Sequence, residues 1–255
     1  MASSAQGGKE SLALDVEELR RRLGPTKVRW IDLWIREVNG PLNEAIAPHV
    51  NSESIILDVG CSRGDPDLPA LREGRFLIGC DVDMAGLRAN RIADGLVRAP
   101  MGSFPLADES VDVIVGKWLL EHLEDPARDF RECRRVLRPG GVLVALTPNA
   151  LSLFTLASRM TPYRAKQWLK GRMFGIHEED TFRTWYRANT RRRIEQLVSE
   201  AGLETVEFTL LPGMYTFFLF LTPLVGVVRL FERMMLRLPV LRRATSYIIG
   251  VWRKV

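Results

Sequence analysis

The chain has 255 residues, 46% of them hydrophobic and 26% charged, which is enough apolar material for a full core and excludes a disordered or low-complexity protein. Its formal charge of +5 is concentrated at one end: from residue 214 onward six arginines and Lys254 face a single acid, Glu232, so the rest of the chain is close to neutral. Three widely spaced cysteines, Cys61, Cys80 and Cys133, form neither a paired framework nor a zinc-binding pattern, so a reducing, cytoplasmic setting is expected.

In chain order, residues 1–50 lack an apolar core of signal-peptide length and are expected to hold a short lead-in and two preamble or lid helices. The helices are expected at Leu12 to Leu23 and at Val28 to Val38, the second ended by Gly40-Pro41. From Ser54 short apolar runs alternate with helical stretches: SIILDV and LPALREG, FLIGCD and MAGLRANRIADG, VDVIVG and PARDFRECRRVL, then GVLVALT. Such alternation predicts an α/β fold, a Rossmann-like, doubly wound and mostly parallel sheet with helices on both faces. Residues 51–150 are expected to be its ligand-binding core. Residues 151–211 read as an aromatic-rich insertion that covers the site, including Trp168, Phe174, Phe182, Trp185 and Tyr186, followed by the end of the core. There Thr190 is expected to cap a helix through Glu200 that stops at Gly202, before the strand LETVEFTLL. Residues 212–244 form a hydrophobic and basic segment, and 245–255 a final core strand.

The string LDVGCSRGDP at 57–66 admits two chemistries. Gly60-x-Ser62-x-Gly64 matches the nucleophile elbow of serine hydrolases, and a glycine-rich turn after a first strand also seats nucleotides. No oxyanion loop of the HGGG kind precedes it, and Asp58 stands two residues before Gly60, which disfavours the elbow. The dinucleotide fingerprint fails on glycine spacing, although Asp81 supplies the expected acid after the second strand.

Four segments in order carry a resemblance: IILDVGCSRG, LIGCDVDMAGL, FPLADESVDVIVGKWLLEHLEDP and CRRVLRPGGVLVALTPN. Together they resemble the class I S-adenosylmethionine-dependent methyltransferases, in the small-molecule branch that includes ubiquinone-type O-methyltransferases. The resemblance implies S-adenosyl-L-methionine as cofactor. It implies that Asp58, Gly60, Cys61, Ser62 and Gly64 hold the amino-acid end, with the amides of Gly60, Cys61 and Ser62 facing the carboxylate. It further implies that Asp81 accepts the ribose hydroxyls, that Asp83 or Met84 flanks the adenine with Val82 also among the cofactor-binding residues, and that Lys117 and Trp118, with Gly116, Thr147 and Asn149, surround the transferred methyl group. Two positions depart from the pattern. Ser62 replaces the middle glycine, and Pro100 stands where an acid usually meets the adenine amino group, leaving that task to Met101, Gly102 and Ser103.

A hydroxyl acceptor calls for a general base. His177 is the preferred candidate, His122 on the helix expected after the fourth strand is the second, and His49 is expected to be structural. No ligand spacing for a metal is visible, so activity is expected to withstand chelators. Signatures of nucleic-acid modules are also missing, so nucleic acid is not the expected partner, although RNA methylation and a catalytically degenerate, methyltransferase-like binding subunit remain alternatives. The expected acceptor is a hydrophobic or lipid-linked small molecule.

In the last hydrophobic segment, the stretch from Met214 to Val228 is uncharged, but two flanking strands of one sheet leave too little chain for two membrane crossings. Helical projection sets Leu224, Val227, Val228, Phe231, Met234, Met235 and Leu238 opposite Arg229, Arg233 and Arg237. That arrangement predicts peripheral association with an anionic membrane, with the protein's own core or a homodimer as the competing occupant of the apolar face.

Overall fold

The structure, a computed structural model, describes residues 25–160, 182–213, 215, 218 and 222–255. A seven-stranded sheet runs in the order β3-β2-β1-β4-β5-β7-β6. Its strands are β1 (Ile55–Val59), β2 (Phe76–Asp81), β3 (Gly95–Arg98), β4 (Val111–Lys117), β5 (Leu137–Pro148), β6 (Leu203–Leu211) and β7 (Tyr247–Lys254). The first five are parallel, while β7 pairs antiparallel with both β5 and β6. The strand order therefore reverses between β1 and β4, and the carboxyl ends of these two strands mark the switch point at which open α/β sheets bind their ligands.

Period-two alternation divides each central strand between two cores. Leu143 and Ala145 of β5 join one apolar cluster with Phe130, Cys133 and Val136 of α3 (Pro126–Val136) and Ile194, Leu197 and Val198 of α5 (Arg191–Glu200). Val142, Val144 and Leu146 face the other way, toward Val38, Leu42 and Ile46 of α1 (Pro25–Ile46). Helix α1 continues through Gly40-Pro41, where the sequence suggested a stop, and its second half packs in the core rather than serving as a lid. The stretch expected between Leu12 and Leu23 lies outside the described residues.

Two expected helices contract. LPALREG forms only a 3-10 turn over Pro69–Arg72, and MAGLRANRIADG only α2 (Met84–Ala89), beyond which Asn90 caps the Ile92 and Ala93 amides with its side-chain oxygen. The expectation at Thr190 holds: its hydroxyl accepts from the Arg193 amide, and Gly202 ends the helix at φ +74. After β5 come α4 (Leu153–Met160) and, between β6 and β7, α6 (Thr222–Arg237) and α7 (Pro239–Arg242). No helix among the described residues is long and apolar enough to cross a membrane.

Candidate active site

Parallel strand packing brings Asp58 near the end of β1, Asp81 at the end of β2 and Lys117 at the end of β4 to one edge of the sheet. Between β1 and the next turn the chain is wound left-handed at three positions, Gly60 at φ +75, Ser62 at φ +41 and Gly64 at φ +85. A Cβ at Gly64 would come within 2.9 Å of Ile92, so only glycine meets both the conformation and the space there. Ser62 holds the same region of backbone space against its own Cβ, at the position where the family resemblance has glycine.

The loop is tied down from below. The amides of Gly60 and Cys61 donate to the Cys80 carbonyl at 2.8 and 3.2 Å, and the Ser62 amide donates to Asp81 Oδ2 at 2.8 Å. These three amides, expected to face a ligand carboxylate, are thus engaged inside the protein. Asp81 also accepts from the Asp83 amide through Oδ1 at 2.8 Å, and Asp83 itself caps α2 by accepting from Ala85 and Gly86. A carboxylate has about four lone-pair positions, so Asp81 keeps acceptor capacity after these two bonds. Val82 is exposed beside it, and the Arg98 side chain donates to its carbonyl.

Three carboxylates, those of Asp58, Asp65 and Asp81, influence one another here, and Lys117 is paired with Asp65. Burial, then the negative charge of Asp65, pushes the Asp58 carboxyl up to about 7; Lys117 opposes that shift and Asp81 adds to it. Asp65 is a residue that sequence reasoning missed, because its role follows from a pairing with Lys117, 52 residues further along the chain. Asn90 is a second: its side-chain amide donates to the Ser62 carbonyl at 3.1 Å and so braces the loop.

The residues expected around the adenine divide. Met101 is buried in the core cluster that also holds Cys80, Ala99 and Phe104, whereas Ser103 is exposed and closes a turn onto the Pro100 carbonyl. Gly102 lies so close to Asp129 that a Cβ would stand 2.5 Å from its carboxylate. Trp118, left-handed at φ +55, stacks on Trp34 of α1 at 6.2 Å between ring centroids and meets Tyr247 edge-on at 4.9 Å. Asn149 does not line the crevice as a contact group: its amide donates to the Arg243 and Thr245 carbonyls at 2.8 Å, fastening the end of β5 to the entry of β7.

His122 falls in a 3-10 turn, Leu120–His122, instead of the helix expected there. Its Nδ1 bonds the Arg183 carbonyl at 3.0 Å, which makes Nδ1 the protonated nitrogen and leaves Nε2 with the lone pair, 3.9 Å from Glu121 Oε1. Burial lowers the affinity of His122 for a second proton. Glu121 is fully enclosed and its carboxyl is pushed up to about 7 by that burial, even though Thr147 donates to Oε2 at 3.0 Å. Asn189 extends the chain by donating to Thr147 Oγ1 at 2.6 Å. Glu121 and Asn189 went unrecognised in the sequence, since a polar residue inside an apolar run gives no sign of which face it takes. His177 lies outside the described residues. Among the described residues no group of three or more metal-ligating side chains converges.

The donor set fits S-adenosylmethionine. Buried carboxylates ending β1 and β2, exceeding the nearby positive charge, suit an ammonium group and a pair of hydroxyls, and the glycine turn leaves room that a Cβ at Gly60 would lose to Leu119 at 3.3 Å.

The known proteins that this chain is similar to are methyltransferases. Residues 57–145 match the model of a methyltransferase domain family. The chain is 41% identical over 101 residues to a probable S-adenosylmethionine-dependent methyltransferase of Mycolicibacterium smegmatis, covering 38% of this chain and 39% of that one. It is 26% identical over 159 residues to a ubiquinone biosynthesis O-methyltransferase of Cereibacter sphaeroides, covering 60% and 61%. The chain therefore spans about two fifths of the length of the mycobacterial relatives it matches. Among solved structures, an S-adenosylmethionine-dependent methyltransferase from Mesorhizobium loti superposes with a TM-score of 0.55 at 18% identity, over 84% of this chain and 96% of that one. The fold is thus the Rossmann-like class I methyltransferase fold.

Proposed function

We propose that this chain, whose residues 57–145 match a methyltransferase domain family, is an S-adenosylmethionine-dependent enzyme that methylates an oxygen of a hydrophobic or lipid-linked small molecule. The observation that carries the reading is the paired Asp58 and Asp81 at the ends of β1 and β2, held beside a left-handed glycine turn. Asp81 would hold the ribose hydroxyls and Asp58 the ammonium, whose charge favours the ionised carboxylate that burial disfavours. The bound cofactor supplies a methyl group on sulfonium sulfur, ready for in-line displacement. What remains for the chain is positioning and proton removal.

His122 is placed for the second task. With Nδ1–H fixed on the Arg183 carbonyl, Nε2 accepts the acceptor's hydroxyl proton, and Glu121 beside it, in the fraction ionised near neutral pH, stabilises the resulting imidazolium by its charge. Trp34 and Trp118 offer flat apolar surface for the acceptor, and the buried Trp34 Nε1 has no hydrogen-bond partner among the described residues. The ubiquinone O-methyltransferase relatives support an oxygen acceptor on a hydrophobic ring or chain.

Calorimetric titration with S-adenosylhomocysteine tests the cofactor reading. Asp81→Asn is expected to weaken binding about 10- to 100-fold, the loss of charge-assisted bonds of about 1.5–3 kcal/mol. A wild-type chain that binds neither the cofactor nor its product overturns the enzyme. Turnover on a lipid extract with methyl-labelled cofactor tests the acceptor: methylated hydrophobic product is expected, and label found only in RNA or protein overturns the small-molecule reading. His122→Gln is expected to lower kcat with little change in cofactor affinity and to remove the fall in kcat on acidification below the ordinary histidine range. An unchanged pH profile excludes His122 as the base.

A further inference from the structure

We infer that the outward face of α6 and α7 is a docking surface for anionic lipid, and that it sets the mouth of the site at the membrane. On an α-helix at about 100° per residue, Leu224, Val227, Leu230, Phe231 and Met234 share an arc of about 120°. All five are exposed, Val227 and Leu230 by more than 60%, and Leu238, Val240 and Leu241 continue the apolar surface through α7. Exposed large side chains at this density are a patch, not scattered surface residues.

The buried arc of α6 lies elsewhere on the helix. Val225 and Met235 point inward together with Glu232, which accepts from the amides of Gly213 and Tyr215 and from the Ser246 hydroxyl. These bonds fix the rotation of the helix, so the apolar arc cannot turn inward without stranding a carboxylate. Arg229 is occupied as well, paired with Glu37, which also accepts from the Tyr215 hydroxyl at 2.6 Å. The expected apolar face is thereby split: Val228 and Met235 belong to the protein side and the remainder to the outside.

Charge selects the occupant. Arg233 and Arg237 border the exposed apolar arc, Arg242 and Arg243 end α7, and all four are exposed. The one acid between residues 222 and 243 is the buried Glu232. In an isologous dimer each copy would present these arginines to the same patch of its twin, so self-association brings like charges together. A lipid surface with anionic headgroups instead takes the apolar side chains into its acyl boundary and the guanidinium groups at its phosphates.

The same helix is linked to the site. Its inner residues Val225 and Val228 pack with Tyr215, Trp30 and Trp34, Trp34 stacks on Trp118, and Trp118 follows β4 directly. A lipid-linked acceptor would reach the crevice along this aromatic path without leaving the membrane surface. That part rests on the proposed methyltransferase activity, whereas the docking itself does not.

Flotation of the full chain with vesicles of phosphatidylcholine alone, or with 30% phosphatidylglycerol, on the order of a typical anionic content, tests the surface. Binding is expected to the anionic vesicles only and to fall steeply with added salt. Leu230→Ser with Phe231→Ser, and separately Arg237→Ser with Arg242→Ser and Arg243→Ser, are each expected to weaken it about tenfold or more, while S-adenosylhomocysteine binding and the unfolding midpoint stay as in wild type. Failure to bind either vesicle, or equal binding to both, overturns the proposal. Light scattering that finds a dimer abolished by the Leu230 and Phe231 changes, with no vesicle binding, assigns the face to a second copy. Salt-sensitive capture of an acidic polypeptide in preference to vesicles overturns it likewise. Loss of cofactor binding alone would strike the activity and leave the docking surface standing.

Discussion

Helices α3 and α6 are both amphipathic and arginine-rich, yet they treat their apolar residues in opposite ways. In α3 the stripe Phe130, Cys133, Val136 points into the core, and the charged residues Arg131, Arg134 and Arg135 take the outer side. In α6 the side that packs carries a glutamate, and Leu230, Phe231 and Met234 stay outside. The difference lies in what each helix finds opposite it. Beneath α3 is the open apolar face of β4 and β5, so burial of hydrocarbon decides its rotation. Beneath α6 are the amides of Gly213 and Tyr215 and the hydroxyl of Ser246, donors that would be left unpaired by an apolar neighbour.

The contrast breaks most severely in α3. Phe130→Ala opens a cavity in the core beside Trp252, whose ring it meets edge-on at 6.0 Å, and is expected to cost about 3–5 kcal/mol in urea unfolding. A loss below 1 kcal/mol would mean that α3 is not held by its stripe.

Next in size is a pH effect at Glu121, a buried carboxyl that lacks the full donor set Glu232 enjoys. Its ordinary value is 4.5 and its folded value about 7, so the folded state holds the proton longer than the unfolded chain does. The stability contributed is complete below pH 4.5 and is lost as pH rises to 7, on the order of 3 kcal/mol. Glu121→Gln is therefore expected to flatten wild type's decline between pH 5 and 8, read by denaturation at each pH. Asp58 is raised in the same sense and contributes a remaining slope.

Glu232→Gln should cost about 1–2 kcal/mol, because one of two carboxylate oxygens becomes a donor facing donors. Amide exchange in α6 is expected to speed up while that of α3 is unchanged. The smallest effect sharpens the comparison best: Leu230→Ser on the exposed arc is expected to change stability by no more than about 0.5 kcal/mol, where the same kind of change at a buried position of α3 would be severe. A cost above 2 kcal/mol would show Leu230 to be covered.

The methyltransferase-like core was legible from motifs because each rests on local chemistry. Asp58 near the end of β1, the turn that needs Gly60 and Gly64, and Asp81 closing β2 are set by residues within a few positions of one another. Strand β3 was not foreseen, since its four residues GLVR alternate on an exposed edge and carry little apolar signal. The helix end expected at Gly40-Pro41 failed for a related reason: proline and glycine weaken a helix by a few kcal/mol at most, and burial of Leu42, Ala45 and Ile46 outweighs that.

By itself, then, the amino-acid order determined the alternation of strands and helices, the acids ending β1 and β2, the glycine turn and the basic apolar character of the last segment. Local periodicity and turn chemistry suffice for these. Tertiary structure alone decided that β7 runs antiparallel between β5 and β6, that the loop amides at 60–62 bond inward to Cys80 and Asp81, that Glu121 meets Thr147, and which arc of α6 faces out. Each of these depends on a partner distant in the chain, and a polar group's preference between solvent and interior is settled only when that partner's donors arrive beside it.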